Sequence, residues 1–166
     1  MKYPKRLAKY NFGRDIPSEE VPWVRVAELG RIDLPRPIVI VNGAFDLLHS
    51  GHMKIIFQAR RRAATLIVAI DSDARVSRKG AGRPVQSVVE RIGTLNFLPV
   101  DYVVEIHSDG EMRRLMEVVR PDLRVQGMQY KGQPTKFPDV PKLFVRQGGM
   151  STTKIIERCK RVAGSE

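Results

Sequence analysis

The chain has 166 residues, one domain's worth, and its 42% hydrophobic content is ordinary for a globular protein. No apolar run reaches the roughly 18 residues of a spanning helix, and the single cysteine, Cys159, excludes an internal disulfide and a cysteine-cluster metal site. The formal net charge of +11 favours anionic partners, of which nucleotides are one kind and nucleic acid another.

In chain order, residues 1 to 36 show no strong periodicity, carry Pro4, Pro17, Pro22 and Pro35, and mix basic residues with Tyr3, Tyr10 and Phe12. They read as an N-terminal arm or extension. Within it, Val21 to Leu29 is expected to form a short helix that lays Trp23 and Val26 on the core, with Pro22 in its first turn. The opening Met-Lys-Tyr-Pro-Lys-Arg is not followed by an apolar stretch and a small-residue cleavage site, so the expected compartment is the cytoplasm. Basic residues are scattered over the arm, over Arg60 to Arg62, over Arg75, Arg78, Lys79 and Arg83, and over Lys154, Arg158, Lys160 and Arg161. Scatter of that kind reads as a solvated surface, with nucleic-acid binding as the minority alternative.

From Ile38 the pattern becomes regular. Short β-branched runs predict strands at Ile38–Val41, Leu66–Ile70, Tyr102–Ile106, Leu123–Val125 and Leu143–Val145. Helical periods predict helices over Ser50–Arg62, Gln86–Phe97 and Glu111–Val119 and from Thr152 onward, with a polar loop from Asp71 to Arg83. Such alternation argues for an α/β domain, a five-stranded parallel sheet covered on both faces and joined by right-handed crossovers. With strand order 3-2-1-4-5, ligands lie beyond the carboxyl ends of the first and fourth strands, where the order reverses. The loop Gly43 to His52, the loop Gly127 to Lys136 and the start of the last helix then converge.

The first of these loops has the outline of a phosphate site. A glycine follows a buried strand, a helix N-terminus offers unpaired N–H groups, and His49 and His52 add donors whose protonation suits phosphate oxygens. Two of only three histidines in one strand-to-helix turn weaken the reading of either as a merely structural residue, whereas His107 has no such context. Zinc helices space their histidines i and i+4 and need a third ligand, which is not evident here, so no protein-bound metal is expected. Ser151, Thr152 and Thr153 taken alone are a helix N-cap. There is no Walker A sequence, and Gly80-Ala81-Gly82 is not a dinucleotide fingerprint, so kinase and dehydrogenase readings lack support.

Gly43-Ala44-Phe45-Asp46 followed by His49-Ser50-Gly51-His52 resembles the HxGH signature of the nucleotidyltransferase superfamily. Met150-Ser151-Thr152-Thr153 is similar to its Ile-Ser-Thr-Thr segment, and the resemblance extends over about residues 37 to 162. Lys79-Gly80 with Arg83-Pro84, Arg91, Val100-Asp101 and Pro121-Asp122 look closest to the adenylyltransferase domain of heptose-phosphate enzymes. Arg146-Gln147-Gly148-Gly149-Met150-Ser151-Thr152-Thr153 is also similar to glycerol-3-phosphate cytidylyltransferase.

The resemblance implies a Rossmann-like nucleotidyltransferase domain over residues 37 to 166. An acceptor phosphate attacks the α-phosphorus of a nucleoside triphosphate that brings its own Mg²⁺, and pyrophosphate departs. His49 and His52 would be the catalytic donors, with Asp46 orienting the loop. Gly43, Ala44, Phe45, Asp46, Gly51, Gly127, Arg146, Ser151, Thr152 and Thr153 would hold nucleotide. Asp71, Lys79, Arg83, Arg91, Gln126 and Gln129 would meet the acceptor. Two alternatives stay open: the Arg75 to Arg83 loop is either a phosphate clamp or a solvated turn, and Arg91 either a ligand or an exposed salt-bridge residue.

ATP and a sugar phosphate lead. A polyol or amino-alcohol phosphate with CTP follows, then a flavin nucleotide; a non-catalytic nucleotide- or nucleic-acid-binding protein is the rival from another class, and a homodimer is left open. Gln126-Gly127-Met128-Gln129-Tyr130 departs from the Lys-Gly-x-Asp-Tyr pattern of the heptose enzymes, which predicts an acceptor other than heptose 1-phosphate.

Overall fold

The computed structural model describes residues 21–134, 140–146 and 148–164. Expectations for residues 1–20, and for the part of the Gly127 to Lys136 loop beyond residue 134, lie outside the described residues. Strands β1 (Ile38–Gly43), β2 (Thr65–Asp71), β3 (Tyr102–Ile106), β4 (Leu123–Gly127) and β5 (Lys142–Val145) form one parallel sheet in the order β3-β2-β1-β4-β5. This is the doubly wound order expected from the sequence.

The β-branched runs are buried on both faces, as a parallel sheet flanked by helices requires. Odd-numbered β1 residues Val39 and Val41 pack with Leu66, Val68, Ile70 and Val125 against α2 (Ser50–Arg60) and α4 (Val88–Leu95). Even-numbered Ile38 and Ile40 pack with Ile67, Ala69, Val104 and Ile106 against α5 (Asp109–Val119) and the short α1 (Val26–Leu29). Each such side chain, fully withdrawn from water, stabilises the fold by roughly 1.5–3 kcal/mol before entropy is counted.

Two aspartates lock the edge of the sheet opposite the ligand end. Asp101 accepts from Leu66 N–H at 2.7 Å and pairs with Arg60, which is buried rather than solvated as its basic cluster suggested. Asp122 accepts from Ile38 N–H at 2.6 Å and pairs with Arg36 at 2.9 Å. The Val100-Asp101 and Pro121-Asp122 pieces of the family resemblance therefore align strands rather than bind anything.

The described part of the N-terminal extension belongs to this fold. Val24 N–H donates to Val103 O and Val103 N–H to Pro22 O, both at 3.0 Å, so the chain pairs with the edge strand β3. Helix α1 starts only at Val26, and Trp23, in extended backbone, points outward and is 50% exposed. Val26 packs against the core as expected, and the placement of Trp23 there is corrected. Leu29 and Leu34 instead supply the buried contacts. The loop from Asp71 to Arg83 also differs, because a one-turn helix α3 (Asp73–Ser77) interrupts it.

Candidate active site

The turn after β1 is backbone-strained and held from several sides. Phe45 and Leu47 have φ of 52° and 47°, values that side-chain-bearing residues adopt only when their surroundings enforce them. Asp46, fully buried between them, supplies the enforcement. Its carboxylate accepts from Val85 N–H and Gln86 N–H at 3.1 Å, and Arg83 Nε lies 2.8 Å away as an ion pair without hydrogen-bond alignment. Its carbonyl accepts from the Thr152 hydroxyl at 2.7 Å, which fastens α6 (Thr152–Ala163) to the turn. Leu47 N–H donates to the Gln86 side chain at 2.9 Å.

His49 caps α2: its Nδ1 accepts from Gly51 N–H at 3.1 Å, so a neutral imidazole there carries its proton on Nε2. One turn on, His52 stacks on it with ring centroids 3.9 Å apart and planes at 30°, and Phe45 closes the other side of His52 at 5.3 Å. Burial first, then the neighbouring His49, hold the His52 imidazolium down to about pKa 4, against the opposing pull of Asp46. Burial lowers His49 as well. Burial therefore disfavours the charged form of both rings in the free protein, and a neutral ring still keeps one N–H donor. Two like charges at stacking distance inside a half-buried turn would repel, so each ring offers one N–H instead.

Across the turn, a cavity of about 280 Å³ joins the histidines to Gly43, Ala44, Gly127, Gln129 and the Ser151–Thr153 segment, with Asp71, Lys79 and Arg83 on its far wall. Asp71 holds Lys79 Nζ at 3.0 Å and Arg75 Nε at 3.1 Å, so it positions cations rather than standing open. The Gln129 side chain folds over Gly127, where a Cβ would sit 2.2 Å from Gln129 Oε1 and would push that side chain aside. Ser151 caps α6 by accepting from Lys154 N–H at 3.3 Å. Strand-end turn, helix N-terminus and basic wall thus meet at the expected switch point.

A family model for cytidylyltransferase-like proteins matches residues 40–158, which contain every one of these elements. The chain belongs to the cytidylyltransferase-like family. It is 41% identical over 133 residues to the bifunctional protein HldE of Pseudomonas paraeruginosa, covering 75% of this chain and 28% of that one. To HldE of Campylobacter curvus it is 37% identical over 158 residues, covering 92% and 33%. The chain thus spans a third or less of the length of these relatives. Among solved structures, a lipopolysaccharide core biosynthesis protein from Thermoplasma volcanium has a TM-score of 0.52 at 23% identity, covering 66% of this chain and 93% of that one. Pantoate-beta-alanine ligase from Francisella tularensis, complexed with beta-gamma ATP and beta-alanine, has a TM-score of 0.55 at 13% identity, covering 86% and 77%. At those identities the likeness establishes the Rossmann-like fold of the family and nothing finer.

Within this cytidylyltransferase-like domain, five residues singled out in the sequence do not line the cavity: Asp46 and Gly51, which build the turn and the start of α2, and Arg91, Arg146 and Gln126. Arg91 is fully buried, and its donors go to the carbonyls of Ala44 and Gln86 and, at 2.7 Å, to Asp73. It is neither a substrate ligand nor an exposed salt-bridge residue but a brace under the Gly43 to His49 turn. Arg146 is exposed and does not line the cavity. Gln126 points to the opposite face of the sheet, because neighbouring residues on a strand alternate and Gly127 faces the histidines.

One residue that sequence reading passed over is Arg124. It is 8% exposed on β4, with Nε and Nη2 donating to Asn42 Oδ1 at 3.1 and 2.8 Å. The available signal was a cation inside a short parallel strand, a position normally given to an aliphatic side chain. Among the described residues no group of three or more His, Cys, Asp or Glu converges as metal ligands, and no helix is long and apolar enough to cross a membrane.

Proposed function

We propose that the domain transfers a nucleoside monophosphate from a magnesium-borne triphosphate to a phosphorylated small acceptor, with a sugar phosphate as the leading acceptor and ATP as the leading donor. A phosphate oxygen of the acceptor attacks the α-phosphorus, the bond from that phosphorus to the bridging oxygen breaks, and pyrophosphate leaves with the electron pair. The nucleophile is already anionic, so no general base is needed. The barrier is electrostatic, and donors fixed in advance lower it.

The observation that supports this reading is the stacked pair of neutral imidazoles at the N-terminus of α2, facing the hydroxyl-bearing N-terminus of α6. Neutral rings bind the ground-state polyanion modestly and gain most as charge builds on the phosphoryl oxygens, which is the selective stabilisation that raises turnover. Lys79 and Arg83, each paired with an aspartate, line the same cavity and would meet the acceptor phosphate. The heptose-enzyme motif pieces Lys79-Gly80, Arg83-Pro84, Val100-Asp101 and Pro121-Asp122 favour a sugar phosphate acceptor and ATP.

The test is pyrophosphate release from ATP, CTP, GTP and UTP against heptose 1-phosphate, mannose 1-phosphate, glycerol 3-phosphate and phosphocholine. Release that needs one triphosphate and one acceptor together is the expected result. Release from none of the pairs, with tight salt-sensitive binding to single-stranded RNA, would replace transfer with the nucleic-acid reading.

A further inference from the structure

A recess of about 460 Å³, larger than the histidine cavity, opens where residues 23–28 leave the sheet edge and pass the end of β3 and the first turns of α5. The proposed transfer makes no use of it. The chain carries a net charge of +11, yet three carboxylates, Glu28, Glu105 and Glu111, line this recess against two guanidinium groups, Arg25 and Arg114. We propose that it binds a small organic cation, an alkylguanidinium or a primary alkylammonium, between the indole face of Trp23 and the carboxylate of Glu105. This site is separate from nucleotidyl transfer and stands or falls without it.

Glu105 is the open one of the three carboxylates. Glu28 caps α1, accepting from Arg25 N–H at 2.6 Å and pairing with the Arg25 guanidinium at 3.2 Å. Glu111 accepts from His107 N–H at 2.6 Å, just ahead of α5. The Glu105 side chain is only 15% exposed, yet among the described residues it accepts no hydrogen bond, and its one ionic neighbour, His107 Nε2, lies 3.8 Å away, beyond hydrogen-bond reach. A carboxylate withdrawn that far from water is normally paired. The strand edge explains why this one is not. Trp23 pairs with Val103, but the chain turns into α1 at Val26, so the pairing stops short of Glu105 and leaves a gap beside it.

The aromatic half of the site is held in place as well. The hydrogen bonds of Val24 N–H to Val103 O and of Val103 N–H to Pro22 O fix the backbone on either side of Trp23. Its half-exposed ring therefore shares a face of the sheet with Glu105, two residues beyond Val103. Indole is the side chain that best attracts a cation to its face. A planar guanidinium can stack there and turn its N–H fork to a carboxylate, and a primary ammonium offers three donors to the same oxygens. Val24 and Val26 give an apolar flank for the alkyl tail. One positive charge balances the lining. A metal ion, by contrast, finds no converging ligand set among the described residues, and a phosphate would face the carboxylates.

Trp23 is the only tryptophan of the chain, so its fluorescence reports on this recess alone. The experiment titrates the full chain with n-butylguanidinium, n-butylammonium, tetramethylammonium and n-butanol, following Trp23 emission and its quenching by acrylamide. n-Butylguanidinium should change the emission saturably with a Kd of about 1 mM or tighter and shield the ring from acrylamide, and n-butylammonium should do the same. Tetramethylammonium, which has no N–H for Glu105, should bind about tenfold or more weakly, and n-butanol should not bind. Glu105→Gln keeps the shape and removes the charge, and should raise the n-butylguanidinium Kd about tenfold or more. Arg114→Gln removes a like charge from the lining and should lower it about twofold or more. If Glu105→Gln does not fold, Arg114→Gln and tetramethylammonium decide. Binding of n-butanol as tight as that of the cations, an unchanged Kd in Glu105→Gln, or no saturable response up to about 10 mM overturns the assignment.

Discussion

Asp46→Ala should destabilise the domain and collapse the active-site turn together. The wild-type carboxylate is fully buried and accepts from two backbone N–H groups at 3.1 Å, with Arg83 Nε 2.8 Å away and only 12% of the Arg83 side chain exposed. Leaving each N–H without its acceptor costs about 1–3 kcal/mol, and removing one member of a buried ion pair costs about 3–5 kcal/mol. These terms share one group and do not add, so the expected loss is about 4 kcal/mol. That is a large part of the roughly 5–15 kcal/mol that keeps a domain folded. At about 2–4 °C per kcal/mol for a chain of this size, the melting temperature should fall by about 8–16 °C.

Asp46→Asn keeps one acceptor oxygen and should lose roughly half as much. Because Phe45 and Leu47 hold positive φ only under this restraint, Asp46→Ala should also lose turnover at temperatures where it is still folded. Urea and thermal unfolding followed by circular dichroism, with pyrophosphate release measured well below the transition, give both quantities. An Asp46→Ala protein within about 1 kcal/mol of wild type, or an Asp46→Asn protein less stable than Asp46→Ala, would refute the reasoning.

Three further outcomes are expected. His52→Ala should cost about 10²–10³ in kcat, the usual effect of losing one fixed donor, with a much smaller change in triphosphate Kd; near wild-type turnover would remove His52 from the mechanism. The His52 pKa, about 4 in the folded protein against 6.5 for the free side chain, makes stability independent of this group above pH 6.5. Stability then falls between pH 6.5 and 4, where only the unfolded chain takes up the proton, by about 3 kcal/mol at 1.36 kcal/mol per pKa unit. His52→Gln should flatten that part of the stability profile, and equal slopes in urea titrations of the two proteins would contradict it. Arg91→Met should lower stability by about 3 kcal/mol by stranding two carbonyl groups and Asp73. Its acceptor KM, measured on the folded fraction, should stay unchanged; a selective rise in acceptor KM would return Arg91 to the binding residues.

The order 3-2-1-4-5, one of several that right-handed crossovers allow, and the meeting of the Gly43 to His52 turn with the start of α6 are settled by the folded sheet; the β-branched runs, helical periods and turn residues by themselves determined the five strands and their parallel direction. Those features follow from local sterics, hydrophobic periodicity and the handedness of crossovers, all of which are written along the chain. Only the tertiary structure lowers the proton affinity of His49 and His52, because it depends on how much water the folded turn excludes and, for His52, on a second ring 3.9 Å away. Arg91 and Arg60 looked like surface cations for the same reason, since a carbonyl or carboxylate that satisfies a buried guanidinium comes from a distant part of the sequence. Gln126 and Gln129 both belong to the acceptor in the family pattern, yet only Gln129 lines the histidine cavity, because the pleat turns Gln126 to the face opposite Gly127. Arg124 passed unnoticed because a strand's pattern marks which residues share a face and not which distant group, here the Asn42 amide on β1, a buried guanidinium on that face will bond.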